Sequence, residues 1–511
     1  MSESHPSAQH FMAHSLLLHL VVAVAIGAFG AVGQAPYNQP AALILALAFG
    51  FVLWRLQPTQ RRAAIVGWAF GLGYFAHALV WILEPFQVDA ARHGWMAPFA
   101  LLFLSGGLAL FWGGAFWLAR RLSLSASVLV LTWTGAEVAR AYIFTGFPWA
   151  SPAQAMIEGP VSRLLAAFGP HGATLIIMGL AWALSLAPGV AQHWRVRGGQ
   201  AALLAGALLA FYLPLVAAPV PLTNHVLRLV QPNAEQHLKW RPENAERFFS
   251  RQLELTAAPP LDPERAPDLI VWPETAIPWR LGTARPALLA ISDASNGVPV
   301  ALGLLRFEGD TLRNALAVLD AAGEPRQIYD KHHLVPFGEY IPFSDFAERI
   351  GLRGLVVQTS GFSAGSGPEL LDFGPLGKAM PLICYEVVFA HEVGDAPERP
   401  AFLLQVTNDA WFGTSAGPQQ HLAQARMRAI EQGLPLARSA NTGISAMIDP
   451  YGRVTAQIGL GRADFVDAGL PAALPHTLYS RTGDTPVVVV LLFGLFIVFL
   501  RRLIKPARHS D

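Results

Sequence analysis

Among 511 residues there is one cysteine, Cys384, and only 14% of the chain is charged. A single thiol excludes an internal disulfide framework. The scarcity of charge, together with 53% hydrophobic residues and a mean hydropathy of +0.38, excludes an ordinary soluble protein of this length. A net charge of +1 says nothing about nucleic acid, which is not an expected partner. Metal-ligand spacings, internal repeats and low-complexity tracts are also missing; His332 and His333 are neighbours and are expected to point apart. The first 14 residues contain no Lys or Arg, and no small-residue cleavage site follows the first apolar stretch, so that stretch is expected to be retained.

What the chain does have is length in its apolar runs. Eight candidate spans lie near residues 15–33, 40–55, 63–83, 95–119, 124–143, 171–188, 199–218 and 486–500. Each is expected to cross a hydrocarbon core of about 30 Å, the second and last being near the short limit. Basic residues in short loops stay cytoplasmic. Arg55, Arg61, Arg62, Arg120, Arg121, Arg195, Arg197, Arg501, Arg502, Lys505 and Arg508 all fall on one side of these spans, while the alternate connections carry chiefly Arg92 and Arg163. Both termini are therefore expected in the cytoplasm and the long insert outside. Glu137 and Arg140, costly in lipid and three residues apart on a helix, are expected to pair within the bundle.

Three segments follow: a bundle of seven spans over 1–220, an exported domain over 221–480, and a last span with its tail over 481–511. In the exported part, short apolar runs bounded by Gly, Pro, Asn and Asp predict strands at 226–230, 269–272, 298–305, 315–319, 324–329, 369–373, 379–383, 402–406, 444–449 and 454–458. Helical patterns at 242–257, 285–296 and 419–433 intervene, which predicts a layered α/β domain with its site at the strand ends.

Three such ends carry chemistry. Cys384 follows Ala379–Ile383 and is a candidate nucleophile, although a lone cysteine after an apolar strand is more often structural. Glu274 closes Val271-Trp272-Pro273 and is the candidate general base; the competing reading is a helix cap, which Pro273 and Pro278 flank too tightly. Lys331 leaves the run ending in Tyr329 and would face a developing oxyanion. Glu339, at the end of the turn-rich segment after Lys331, could hold that lysine charged or orient the base. Glu386 could do the same or be a surface acid. The aromatics Trp240, Tyr385, Trp411 and Phe412 recur beside these turns and could grip lipid or line a pocket, although any one alone is more often core. Trp149, in Gly146-Phe147-Pro148-Trp149, is a candidate pocket floor at the bilayer surface.

The Glu274, Lys331-to-Glu339 and Cys384-Tyr385-Glu386 motifs resemble, in order and spacing, those of the nitrilase or carbon-nitrogen hydrolase superfamily. With the flanking spans, the chain resembles the bacterial apolipoprotein N-acyltransferases. Gln231-Pro232-Asn233, Leu238-Lys239-Trp240, Thr407 to Gly413 and Arg438 to Gly443 match as well. The resemblance implies an αββα sandwich on the periplasmic face of an eight-span inner-membrane bundle. It also implies Cys384 as nucleophile, Glu274 as base, Lys331 as oxyanion stabiliser, Glu339 as accessory carboxylate, and Trp240, Tyr385, Asn408 and Trp411 as residues for substrate contact or loop gating. No cofactor or metal is expected. The implied reaction passes an acyl chain from a phospholipid, typically the sn-1 chain of phosphatidylethanolamine, through a thioester to the α-amino group of a diacylglyceryl apolipoprotein. The chain is expected to act as a monomer. The residues alone leave open a membrane-tethered amidase, and a transporter or receptor whose exported domain only binds.

Overall fold

The computed structural model describes residues 8–186, 206, 219–342 and 361–504. The chain divides into two compact units, residues 1–216 with 482–511 and residues 217–481.

In the first unit, the helices Leu16–Gly33, Ala90–Leu122, Val161–Ser185 and Thr485–Ile504 are long and apolar enough to cross a membrane. A fifth candidate is the pair Gln60–Ala78 and Val80–Gln87, bent by 49°. Eight spans are not reached among the described residues. Pro40–Arg55 and Ser127–Tyr142 have 16 residues each, about 24 Å of helix and one turn short of a hydrocarbon core. Apart from residue 206, the run expected at 199–218 lies outside the described residues. Thr485–Ile504 buries only Val487 and Leu491 and leaves Leu492, Phe493 and Phe496 exposed, a pattern that suits a helix facing hydrocarbon.

Glycine sets the spacing of the helices Ala8–Gly30 and Gln60–Ala78. A Cβ on Gly27 would lie 2.0 Å from the Phe70 carbonyl oxygen, and one on Gly73 would lie 2.1 Å from that of Val24. Only residues without a side chain allow such close backbone approach. Beside this seam Trp112 and Trp133 meet edge-to-face with centroids 5.1 Å apart.

Glu137 and Arg140 pair as their spacing suggests, with Arg140 Nη2 2.6 Å from Glu137 Oε2. Trp112 Nε1 donates to Glu137 Oε1 at 2.7 Å. Arg140 also donates to the carbonyls of Phe147 and Trp149, so the pair pins the 146–149 loop to its helix. Trp149 itself is wholly buried, its ring 4.6 Å from that of Trp81.

The second unit is two six-stranded sheets. The strands are β1 Leu222–Gln231, β2 Leu269–Val271, β3 Val300–Glu308, β4 Thr311–Leu319, β5 Pro325–Asp330 and β6 Leu371–Asp372, then β7 Lys378–Ile383, β8 Phe402–Thr407, β9 Leu436–Ala440, β10 Ser445–Ile448, β11 Val454–Ile458 and β12 Asp464–Pro471. One sheet runs β12-β1-β2-β3-β4-β5 and the other β11-β10-β9-β8-β7-β6. Each has three parallel strands at its heart, β1-β2-β3 and β7-β8-β9, so the loops after those strands gather at one end. Leu227, Leu229, Val271 and Leu316 of the first sheet share a core with Ile383, Leu404, Val406 and Met447 of the second. The other face of the first sheet packs Ile270, Trp272 and Leu302 on Phe249, Leu288 and Ile291 from the helices Pro242–Ala257 and Arg285–Ser295. Against the second sheet lies the helix Gly417–Gln432.

Two strands, β9 and β12, escape the sequence pattern. β9 reads Leu-Ala-Arg-Ser-Ala, yet it is buried throughout. Its Arg438 is satisfied inside by Gln405, Asp409 and the Ile444 carbonyl, so a polar run occupies a central strand. β12 is held by its antiparallel partner β1, with Leu227 opposite Ala468.

Replacing Arg140 by Leu strands the Glu137 carboxylate and two carbonyls in the bundle and should cost about 3–5 kcal/mol. Thermal unfolding in detergent measures it, and the Glu137→Leu/Arg140→Leu double variant should recover part of the loss. A single variant as stable as the wild type would show that the pair does not hold the loop.

Candidate active site

Glu274, Lys331 and Cys384 leave different strands, β2, β5 and β7, and the topology brings them to one buried place. Their residues are 6%, 1% and 6% exposed, so their charges interact with little screening. Lys331 Nζ lies 2.9 Å from the Glu339 carboxylate and 3.7 Å from Glu274 Oε1. Burial alone would drive the proton off Lys331, but Glu339 and Glu274 reverse that and hold it above the ordinary lysine value. The ammonium is a fixed cation. Cys384 is raised as well: burial, then the Glu274 charge, push its thiol up, and Lys331 only partly opposes them. The resting sulfur therefore carries its proton, and a base must remove it before attack.

Glu274, the candidate base, is placed with more care than its own motif reveals. Asn314 Nδ2 on β4 donates to Glu274 Oε1 at 2.8 Å and to Glu339 Oε1 at 3.1 Å. The backbone N–H of Asn408 donates to Glu274 Oε2 at 2.8 Å. Glu339 is itself held by the Val335 N–H at 2.8 Å. The backbone beneath Glu274 presses on Gly303 of β3, where a Cβ would come within 2.5 Å of Glu274 Cα. Asn314 and Gly303 were not foreseen. A glycine inside an apolar strand was the available signal, since it marks close backbone approach.

Cys384 sits at φ +52°, a conformation that is uncommon for a side-chain-bearing residue and costs on the order of 1–3 kcal/mol. Its carbonyl accepts from Gln405 Nε2 at 3.3 Å, and His421 Nε2 lies 3.1 Å from it. Glu386 ties the turn down. It is fully buried and is no surface acid, nor does it touch Lys331 or the base. Its Oε2 accepts from the Ile383 N–H at 2.7 Å, and its Oε1 accepts from the Tyr329 hydroxyl at 2.9 Å and the His332 N–H at 2.8 Å. One carboxylate thus joins the turn bearing the thiol to the turn bearing the ammonium.

His332 and His333 do not point apart. Both reach Glu392, His332 Nε2 at 3.3 Å and His333 Nδ1 at 2.6 Å, because the chain turns sharply after β5. Burial would lower His332, yet Glu386 and Glu392 raise it to about 10. Glu392, which burial would raise, is drawn to about 2 by the two histidines.

The expected contact residues separate into two groups. Trp240 and Trp411 are 43% and 40% exposed, with Trp240 over the Lys239 ammonium at 4.9 Å. Tyr385 and Asn408 are buried. The Tyr385 ring packs edge-on against Phe389 at 4.9 Å, and the Asn408 side chain is engaged by Gln236 and Asn441 at 2.8 Å each. Lys239 was not foreseen: it is buried beside the base, with Nζ 3.1 Å from Thr275 Oγ1. Burial lowers it to about 7 against the pull of Glu274.

A buried thiol, carboxylate and ammonium on a two-sheet α/β frame is the arrangement that the motifs suggested. Comparison with known proteins agrees. Residues 227–474 match the carbon-nitrogen hydrolase family model, and residues 26–183 match that of the apolipoprotein N-acyltransferase N-terminal domain. Proteins named apolipoprotein N-acyltransferase are similar along nearly the whole chain. That of Rhodopseudomonas palustris is 35% identical, covering 94% of this chain and 95% of the relative. That of Bradyrhizobium diazoefficiens is 36% identical over 96% of each, and that of Caulobacter vibrioides 38% over 84% of each.

The chain belongs to the apolipoprotein N-acyltransferase family.

It is thus an acyltransferase of the carbon-nitrogen hydrolase superfamily. Among solved structures, an amidase from Nesterenkonia sp. is similar to it at 20% identity and a TM-score of 0.38, covering 54% of this chain and 98% of the amidase. Another is XC1258 from Xanthomonas campestris, a CN-hydrolase superfamily protein, at 19% identity and a TM-score of 0.36, covering 52% and 96%.

Gly303→Ala should displace Glu274 by a substantial fraction of an ångström and slow acylation of Cys384 by about 100-fold; an unchanged rate with an activated ester would remove Gly303 from the site. The His332–Glu392 contact should also appear in the pH dependence of stability. His332 titrates higher folded than unfolded, so its contribution is complete below about pH 6.5 and fades as pH rises through about 10. Glu392 is lowered, so its contribution is lost only as pH falls through about 2. Glu392→Gln should therefore flatten the fall in melting temperature between pH 7 and pH 10, and parallel curves for the two proteins would count against the assignment.

Proposed function

We propose that this chain transfers an acyl group from a membrane phospholipid, through a thioester on Cys384, to the α-amino group of a diacylglyceryl apolipoprotein. The observation that carries this reading is the double match: the hydrolase-like domain and the apolar N-terminal region both align with proteins named for that activity. A reaction confined to water-soluble amides has no use for helices long enough to cross a bilayer. A transferase whose donor and acceptor are both amphiphiles does.

The chemistry then follows from the groups present. Glu274 takes the thiol proton, and the sulfur attacks the ester carbonyl carbon of the donor. The tetrahedral oxyanion meets the Lys331 ammonium, which is already charged and already in place, so no reorganisation is needed as the negative charge develops. Glu274 returns the proton to the departing alkoxide and the lysophospholipid leaves. In the second half the acceptor amine attacks the thioester carbonyl, Glu274 takes the amine's proton, and an amide forms as the thiolate departs and is reprotonated. Glu339 and Asn314 keep Lys331 and Glu274 at fixed separation throughout. Trp240 and Trp411, half-exposed beside the site, suit contact with substrate or gating; Glu386 acts by positioning, and the buried Tyr385 and Asn408 by shaping the walls. The phospholipid's sn-1 chain and an ethanolamine headgroup are the expected donor.

The arginines flanking the apolar helices support an inner-membrane placement with both termini in the cytoplasm and the catalytic domain in the periplasm. The chain needs no second copy for its catalytic groups, in keeping with a monomer.

The full-length protein, incubated with acyl-labelled phosphatidylethanolamine and no acceptor, should retain label on Cys384, located by mass spectrometry, and release it to an added diacylglyceryl peptide. Free fatty acid instead of stable label would support an amidase-like hydrolase, and no labelling would remove the reading. Lys331→Met should slow the labelling step by roughly 100-fold or more; near-wild-type labelling would take the ammonium out of the mechanism.

A further inference from the structure

Behind the sulfur lies a column of buried polar groups that the steps above do not use. The parallel pairing of β7 and β8 sets Ile383 opposite Val406, so the next residue on each strand, Cys384 and Thr407, emerges beside the other. Thr407 is fully buried, and its side chain is close enough to the sulfur to draw the Cys384 thiol downward against burial and the Glu274 charge. The same hydroxyl donates to Asp409 Oδ1 at 3.0 Å.

Asp409 does not depend on that bond. Arg438 donates to its Oδ2, and His421 Nδ1 lies 2.9 Å from its Oδ1. Burial would raise the Asp409 carboxyl, but Arg438 and His421 outweigh it and bring it to about 2. Arg438 is in turn held by Gln405 Oε1 at 2.7 Å. The hydroxyl therefore has a resting acceptor that stays satisfied if the hydroxyl turns away.

A buried thiolate needs a donor of its own. Lys331 is shared with Glu339 and Glu274. The other charges facing the sulfur are Glu274 after β2, which opposes a thiolate until it has taken the proton, and Asp409 after β8, which also opposes it. Arg438 on β9 and His421 on the helix Gly417–Gln432 stand behind Asp409.

We propose that Thr407 is a catalytic hydrogen-bond donor, its hydroxyl resting on Asp409 while Cys384 is a thiol and turning onto the sulfur as the thiol ionises. No bond to Thr407 is made or broken. The S–H proton goes to Glu274, the hydroxyl keeps its own, and once the thioester forms the hydroxyl returns to Asp409. The assignment rests on Cys384 being the nucleophile.

The lone cysteine makes the test direct, because Cys384 is the only thiol that iodoacetamide can alkylate, and mass spectrometry reads that position alone. With full-length protein in detergent, Thr407→Val and Thr407→Ala should raise the apparent pKa of alkylation by about one unit and slow alkylation at pH 7 by about tenfold, and Thr407→Ser should follow the wild type. Labelling by phospholipid in a first turnover should show the same order. Melting temperatures identify any variant that fails to fold, and if Val does, the Ala and Ser pair carries the comparison. Wild-type profiles for Val and Ala, or a Ser variant as slow as Val, would overturn the proposal. A hydroxyl-dependent alkylation profile in a protein that never accepts an acyl chain would keep the donor and discard the transferase reading.

Discussion

The second unit depends on a charge it has to bury. The Lys331 ammonium, 1% exposed, is stable only because Glu339 and Glu274 stand on either side of it. Removing either carboxylate leaves a buried cation short of its partner, and removing the lysine leaves two like charges facing each other across Asn314. The network is thus both a structural fixture and a reaction field. An ammonium locked by carboxylates holds its proton, which suits it to an electrostatic part in the proposed reaction and leaves proton transfer there to Glu274.

Around that charge the fold arranges constraints of a second kind, in which backbone rather than side chain does the placing. Gly303 admits the Glu274 backbone, the Asn408 N–H fixes one oxygen of its carboxylate, and Glu386 fastens the Cys384 turn to the Lys331 turn through main-chain donors. The unfavourable φ of Cys384 persists because its own carbonyl and both flanking segments are held. Strain at a nucleophile needs such surroundings, and here they are supplied from β5, β8 and the helix Gly417–Gln432.

How much of this could be read along the chain depends on whether a feature is local. Glu274, Lys331 and Cys384 each end an apolar run and stand in turn-rich segments, so periodicity and turn chemistry expose them. Asn314 sits at the edge of an apolar run in which nothing marks an amide as functional. β9 hides because its arginine and serine find partners only in the folded interior. The adjacency of His332 and His333 argued for opposite directions, and a sharp turn after β5 overruled it. Glu386 was ambiguous for the same reason: two residues from the nucleophile, it could face outward or inward, and only the approach of Tyr329 and His332 from the other sheet decides. Among the helices, Ser127–Tyr142 reads as a span by hydropathy, while the fold ends it at 16 residues.

The sequence by itself determined the apolar character of the first unit, the layered α/β class of the second, and the three chemical residues, because these follow from hydrophobic periodicity and strand-end turns within short windows. The tertiary structure alone decided which oxygens and amides surround those residues, which hydroxyl emerges beside the sulfur from the neighbouring strand, and which way Lys331, His332 and Glu392 titrate. Those properties arise from contacts between segments tens to hundreds of residues apart, brought together by parallel pairing in two sheets, and no local pattern encodes them.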